Sequence, residues 1–533
     1  MDTKKSAKEL LELQERAKSW QANFRSLWQS VSDLIFPQTF GISNYTSPGS
    51  NLMLNLFDTT AVTEARNMAS GLSNNLFPAG QRFFDLVDTP DSGANRYQAY
   101  LVEEAHELIF KSNFLAQVNN AIHYWLTFGI SCTYSAWDIR NGLHYRDYPI
   151  GTYQCMENEV GVIDTMILTC PMTARQLVMR FKDPGPSVVK AYANPETQNQ
   201  SFDMVWVVRP RADRDPGRLD NLNMPFESIY VQRDDQVIIE EGGFPEFPFA
   251  VPRYEVVYQE VYGRGQGVMM LPKVRMLNRL AKDFIENSNK WVRPPLEVLE
   301  SFEGDADLTP GAENIVQQIG SIAAIDLGAK GSFPIGKDII EHHQEEIRQG
   351  FFKNAFQALS PLTGDRRTQI EIIERLKEGM KQLSKPIGRL FDELLTPILT
   401  RSLLLLIRNG VVPPPPRELQ GMPIKINLIN PLALALRDQQ SRGLQYWVGA
   451  LDLIEPLFPG TRDNVDADRA FRDLGRSLGV KVDHIRPIRQ RDEIRRQRAE
   501  EEAEKERTAL ALAAAEGYSK ITAAPQEGSP LAN

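Results

Sequence analysis

Three cysteines in 533 residues, Cys132, Cys155 and Cys170, are too few for a disulfide framework. They read as reduced, buried, small apolar residues. Six histidines are present, and the adjacent pair His342-His343 would point about 100° apart on a helix, so the two cannot face one metal ion. No His/Cys spacing, GxSxG elbow or Cys/His pair stands out, and no cofactor is expected. Long apolar runs are missing too. The greasiest, Leu403 to Ile407, is five residues, whereas a spanning helix needs about 20. The N-terminus passes from charge straight into an amphipathic pattern, with no signal core and no small-residue cleavage site, so the expected place of action is the cytoplasm or a structure assembled there. An excess of base is also lacking. Lys and Arg number 60 against 69 Asp and Glu, a net charge of −9. That argues against a surface that grips nucleic acid by charge, but not against a protein that handles DNA without holding it.

What is present is an ordinary globular balance, 42% hydrophobic and 24% charged. At about 150 residues per domain the length predicts three to four domains or one large protomer. Ser6-Ala7-Lys8-Glu9 reads as a capping box. Leu10, Leu13, Ala17, Trp20, Phe24, Leu27, Val31 and Leu34 then step by three and four, one apolar stripe on a long helix closed by Pro37. A second helix is predicted from Asp58, its cap, to Leu76, and two more near 100–110 and 116–127. Between about 130 and 260, runs rich in Tyr, Val, Ile and Thr are broken by turn signals such as Asn141-Gly142, as in an antiparallel meander. A short helix capped by Thr173 interrupts them. From 263 the chain is helical again, with Met270, Val274, Leu277, Ala281 and Phe284 on one stripe. Helix is expected again over 338–359. Ile373, Leu376, Met380, Leu383, Ile387, Leu390 and Leu394 carry the longest apolar period, and Pro386 inside it predicts a kink. Pro413–Pro416 is a stiff connector, and 432–482 is expected to be helical. An arginine cluster from Arg486 to Arg498 precedes a glutamate run, a pattern that favours ion pairs along a helix over DNA contact. The last dozen residues are expected to be disordered.

Two glycine motifs invite a nucleotide reading. Gly331 to Lys337 has P-loop spacing up to its lysine, but Asp338 stands where a magnesium-binding hydroxyl belongs and Pro334 removes one cradle amide. A tight turn leading into a helix N-terminus is the simpler reading. Gly263, Gly265 and Gly267 follow an expected strand (255–261) and open a helix. Their GxGxG spacing is not the dinucleotide fingerprint, so they read as a close-packed strand-to-helix turn.

Six segments, in chain order, resemble one family, the portal or head-to-tail connector proteins of short-tailed bacteriophages. They are Leu34-Ile-Phe-Pro37; DTTAVTEARNMASGLSNNLFPAGQRFFDL at 58–86; VYGRGQGVMMLPKVRMLN at 261–278, the most specific; Trp291-Val-Arg-Pro-Pro295; RRTQIEIIERLKEGMKQLSKPIGRLFDELLTPILTR at 366–401; and INPLALALR at 429–437. Gln266, Met269 and the stretch Thr368 to Glu371 depart from the usual pattern without breaking the helical logic.

The resemblance implies a mainly α, α+β protomer in a ring, usually of twelve subunits, at one vertex of the capsid. It implies a wing at 1–263, a first stem helix at 264–290, a clip at 291–337 and a second stem helix at 338–359. A tunnel loop follows at 360–370, then a long kinked wing helix and connector at 371–431, a crown at 432–483, and a C-terminal barrel helix and tail at 484–533. The implied partners are further copies of the chain, double-stranded DNA passing through the ring, the terminase that pumps it, tail adaptors, and the major capsid and scaffolding proteins. No membrane is involved, no catalysis is implied, and the implied location is the virion after assembly in the host cytoplasm. Arg366, Arg367 and Thr368 fall beside the DNA-facing loop. Tyr262, Gly263, Arg264, Gly265 and Gly267 form the strand-to-stem turn. Met270, Val274, Leu277, Ala281 and Phe284 are expected to pack the stem and the ring, and Pro386 to kink the wing helix. The competing classes are a P-loop-like ATPase using Gly331–Lys337 and a capsid or scaffolding protein.

Overall fold

The computed structural model describes residues 6–37, 42–43, 49–78, 81–87, 92–218, 220–292, 296–298, 322–324, 333–353, 383–430, 432–433, 466, 468, 471 and 488–522. It is a mixed α and β chain, mainly helical, that divides into two compact units. The first comprises Met1–Phe83, Glu104–Pro413 and Asn430–Leu436, and the second the remainder.

In the first unit the long helix α1 (Ala7–Leu34) lies on the predicted meander. Five antiparallel strands run in consecutive order: β4 (Tyr153–Glu157), β5 (Ile163–Thr173), β6 (Ser201–Pro210), β7 (Phe226–Gln232) and β8 (Val237–Phe244). Strand alternation sends Ile167, Val205, Val207, Ile229 and Val231 to the face that packs on Leu10 and Ala17 of α1. Trp206 and Tyr230 go to the other face and stack with ring centroids 5.1 Å apart. The buried face of α1 keeps Leu10, Ala17 and Val31 of the predicted stripe but departs from it elsewhere. Trp20 is 66% exposed, while Gln14 and Gln21 are fully buried. Gln14 donates to Thr169 Oγ1 (2.9 Å), and Gln21 donates to the Tyr153 carbonyl (2.9 Å). Burying an amide costs little when it is hydrogen-bonded, so a pattern search that scores glutamine as surface loses two anchors of this helix. The expected capping box does not form either. Ser6 is extended, and its side chain makes no cap bond.

α2 (Thr60–Leu76) has Thr59 as its N-cap, one residue past the predicted cap Asp58, whose Oδ1 accepts from the Thr60 amide (2.9 Å). The cap predicted at Thr173 does form, as a capping box at α5 (Ala174–Arg180), where Thr173 and Gln176 cap each other reciprocally. α4 (Phe114–Phe128) follows α3 (Ser92–Lys111) and carries a wholly buried face of Phe114, Val118, Ala121, Ile122, Trp125 and Leu126. A smaller sheet, β3-β2-β9, holds the hairpin β2 (Thr133–Asp138) and β3 (Gly142–Asp147), turned at Gly142, and the short β9 (Phe249–Ala250). All three cysteines are free and buried, and burial pushes the Cys155 thiol up to about 12. Residues 255–261, expected as a strand, form a loop.

Two helical stretches complete this unit. α7 (Gln266–Val292) and α8 (Phe333–Gly350) pack together, and near them β10 (Leu296–Val298) pairs with β11 (Ile322–Ala324). A last helical run consists of α9 (Ser384–Leu390), a π turn (Phe391–Leu395) and α10 (Thr396–Arg408). Pro386 lies in the first turn of α9, where a missing amide costs least. The departure from α geometry is the π turn beyond it. One extra residue in that turn makes Leu394 and Leu395 both fully buried, and Ile398 and Leu399 one turn later.

The second unit contains the ribbon of β1 (Phe84–Leu86) with β12 (Ile426–Leu428), and α11 (Ile488–Thr522). Of the arginine cluster, Arg496 makes the expected pair along the helix, with Glu500 at 3.2 Å, whereas Arg491 and Arg495 reach Asp468 outside it. α11 runs unbroken through Gly517.

Candidate functional site

The turn from 262 to 267 is built on close contact between backbones. α4 ends at Gly129, whose φ of +98° is the left-handed cap conformation. A side chain there would strike the backbone of Gly263, Arg264 and Gly265. The fit is mutual. A Cβ on Gly263 would meet the Gly129 carbonyl, one on Gly265 would lie 2.5 Å from the Leu126 carbonyl, and one on Gly267 would lie 2.6 Å from the Thr127 carbonyl. These glycines are filled by protein backbone, so no space remains for a phosphate. Around them, the Tyr254 amide donates to the Gly129 carbonyl (2.9 Å) and the Arg264 amide to the Glu255 carbonyl (2.8 Å). The Arg264 guanidinium closes on Glu260 (2.6 Å). Tyr262 is buried, its hydroxyl accepts from the Cys155 amide (3.3 Å), and its ring meets Phe24 and Trp28 at centroid distances of 5.3 Å.

This junction roots the α7/α8 pair. Gln266 is buried, accepts from the Tyr254 hydroxyl (3.2 Å) and donates to the Gly350 carbonyl (2.6 Å), so one side chain ties the start of α7 to the end of α8. The same Gly350 packs against Met270. Lys273 pairs with Glu346 at 3.4 Å, and Gly336 lies against Phe284 farther along. The two helices are therefore antiparallel and remain in contact from the root outward. Met270, Val274, Leu277 and Ala281 are all buried inside this one chain. Within the protomer this stripe is therefore already packed. The surface left for a neighbour is the opposite side of α7, where Met269 and Met276 are about half exposed.

α8 also settles the apparent P-loop. The helix starts at Phe333, ahead of Asp338, so Gly336 and Lys337 lie within it, with Lys337 pairing to Glu341 at 3.5 Å. Past the first turn the amides of Gly336 and Lys337 are spent on backbone bonds within the helix, so they are not free to cradle a phosphate. His343 faces Glu346 at 3.1 Å, and the described residues contain no cluster able to hold a metal ion. Likewise, no described helix is long and apolar enough to cross a membrane.

One feature that sequence reading missed is an ionic hub. Arg253, buried in the loop after β9, receives Glu393 of the π turn (2.9 Å), Glu157 of β4 (3.0 Å) and the Gly161 carbonyl (2.9 Å) on its guanidinium. Burial alone would depress the guanidinium, but the bonds and charges of Glu393 and Glu157 outweigh it and hold the pKa above its ordinary value. Nothing local marks Arg253, because its partners are far apart in sequence. The predicted tunnel-loop residues Arg366, Arg367 and Thr368 lie outside the described residues.

A family model for the bacteriophage head to tail connecting protein matches residues 7–485. The chain belongs to that family. This connector is also 26% identical to the portal protein of Salmonella phage epsilon15, over 96% of this chain and 95% of that protein. It is 25% identical to the probable portal protein of Bordetella phage BPP-1, over 96% and 93%. The matched span contains the glycine junction, the α7/α8 pair and the π turn, so the connector's most constrained geometry lies inside the family's shared region.

Proposed function

We propose that this connector is the portal of a short-tailed phage. In this reading it forms a ring, usually of twelve copies, at one capsid vertex, admits DNA driven by terminase, releases it on ejection and docks the tail. The family match along nearly the whole chain carries the reading. The paired helices α7 and α8 on their glycine root supply the stem, β10 and β11 belong to the clip, and the α1-covered meander belongs to the wing. Negative-stain images of the purified chain test it. Closed rings with a central hole are expected. Shells or rods would overturn it in favour of a capsid or scaffolding role, and monomers at all concentrations would overturn it outright.

In the same reading Arg366, Arg367 and Thr368 lie on the DNA-facing loop, brushing a backbone that must slide past a weakly binding wall. Replacing both arginines with alanine should leave rings intact but change packaged genome length or retention. Normal values for both would remove these residues from the tunnel.

A further inference from the structure

The outward faces of α7 and α8 carry opposite charge. On α7 the buried stripe faces inward, and Arg275, Arg279 and Lys282 lie on the exposed side turned away from α8. Neither Arg275 nor Arg279 makes an ion pair among the described residues. On α8, Gly336, Ile340 and Ile347 are turned inward, while Asp338, Glu341 and Glu345 are exposed. At about 100° per residue Asp338 and Glu345 point away from the inward stripe, and Glu341 lies to one side of it. The helix pair is thus a plate whose α7 outer face carries Arg275, Arg279 and Lys282 with Asp283 and Glu286 among them, Lys282 lying over the Phe57 ring at 5.8 Å, and whose α8 outer face is mainly acidic.

The heights of these charges match. Antiparallel packing sets Gly350 at Met270, Glu346 at Lys273 and Gly336 at Phe284. By the same spacing Arg275 is level with Glu345, Arg279 with Glu341, and Lys282 with Asp338. A ring repeats a copy by rotation without shifting it along the axis, and its interface joins one face of a protomer to a different face of the next. A plate whose two faces carry opposite charges at three common levels suits that symmetry. The competing pairs within each helix are Lys337–Glu341 (3.5 Å), Arg348–Glu345 (3.4 Å) and Lys282–Glu286 (3.8 Å). The two lysine pairs are largely exposed and weak enough to exchange, and Arg348 is partly buried near Glu64.

We infer that the occupant of this surface is a second copy of the chain, with the Asp338–Glu341–Glu345 face of one protomer against the Arg275–Arg279–Lys282 face of the next. The inference rests on the portal reading and adds the contact that orders the stem.

Two full-length variants test it, R275E/R279E/K282E and D338K/E341K/E345K. Each alone places like charges at every level, so the concentration for half-assembly should rise about tenfold or more, while circular dichroism and thermal melting stay near wild type. An equimolar mixture should recover rings, because acid–acid and base–base plates alternate, and the recovered rings should contain the two chains one to one. Variants that each assemble like wild type, or a folded mixture that stays unassembled, would overturn the interface. If either triple variant fails to fold, the single level R279E, E341R and R279E/E341R carries the same test, with assembly lost in each single variant and recovered in the double. A wild-type chain without rings fails the portal reading itself, whereas rings indifferent to these charges fail only this contact.

Discussion

Replacing Gly129 with alanine should destabilise the chain by about 3 kcal/mol or more, and valine should leave little folded protein. Two costs combine. A non-glycine residue in the left-handed region costs about 1–2 kcal/mol, and overpacking a filled site costs about 1–3 kcal/mol. The second cost should fall at the upper end, because the atoms a Cβ would strike are the backbone of Gly263, Arg264 and Gly265, which cannot rotate aside. Gly161 provides the control. Its φ is +81°, but a Cβ there would meet nothing within 4 Å, so Gly161→Ala carries only the conformational cost. Thermal unfolding of both variants separates the two contributions. Equal melting points would mean that the close approach of the two backbones contributes nothing. Gly265→Ala, which has no positive φ but lies against three backbone atoms of α4, should behave like Gly129→Ala and not like the control.

Arg253→Met should cost about 3–5 kcal/mol, nearer the lower figure because Glu157 and Glu393 are partly exposed. Methionine approximates the volume but leaves two carboxylates facing a position without a cation. The loss should therefore shrink when both acids are neutralised, so that R253M/E157Q/E393Q is more stable in denaturant than R253M alone. A triple variant no better than the single would show that packing, not charge, is what Arg253 supplies. Hydrogen exchange offers a local readout. Protection should fall first in the π turn, because the Arg253 amide and guanidinium both donate to Glu393.

These two sites show where reading the sequence stops. The apolar steps of α7 were legible because helix period and burial coincide there, and Val274 and Leu277 are buried as predicted. The meander was legible because turn residues separate runs that alternate. The motif at 263–267 was legible as a close-packed turn but not as half of a contact. Its other half, Gly129, lies more than a hundred residues earlier and looks like an ordinary helix cap. Gln266 looked like a mere departure from a family pattern, yet it joins α7 to the end of α8.

Local sequence therefore determined the elements, their order and the family to which they belong, because backbone propensity and hydrophobic period act over a few residues. Tertiary structure alone decided which face of each element is spent inside the protomer and which remains free. The stripe of α7 looked available to a neighbour until α4 and α8 were seen to cover it. Gln14 and Gln21 looked exposed until the sheet supplied their hydrogen-bond partners. Arg253 acquired its role only when Glu157 and Glu393 were brought to it. Burial, pairing and the matched levels of opposite charge all depend on distances between segments remote in sequence, and no local pattern contains those distances.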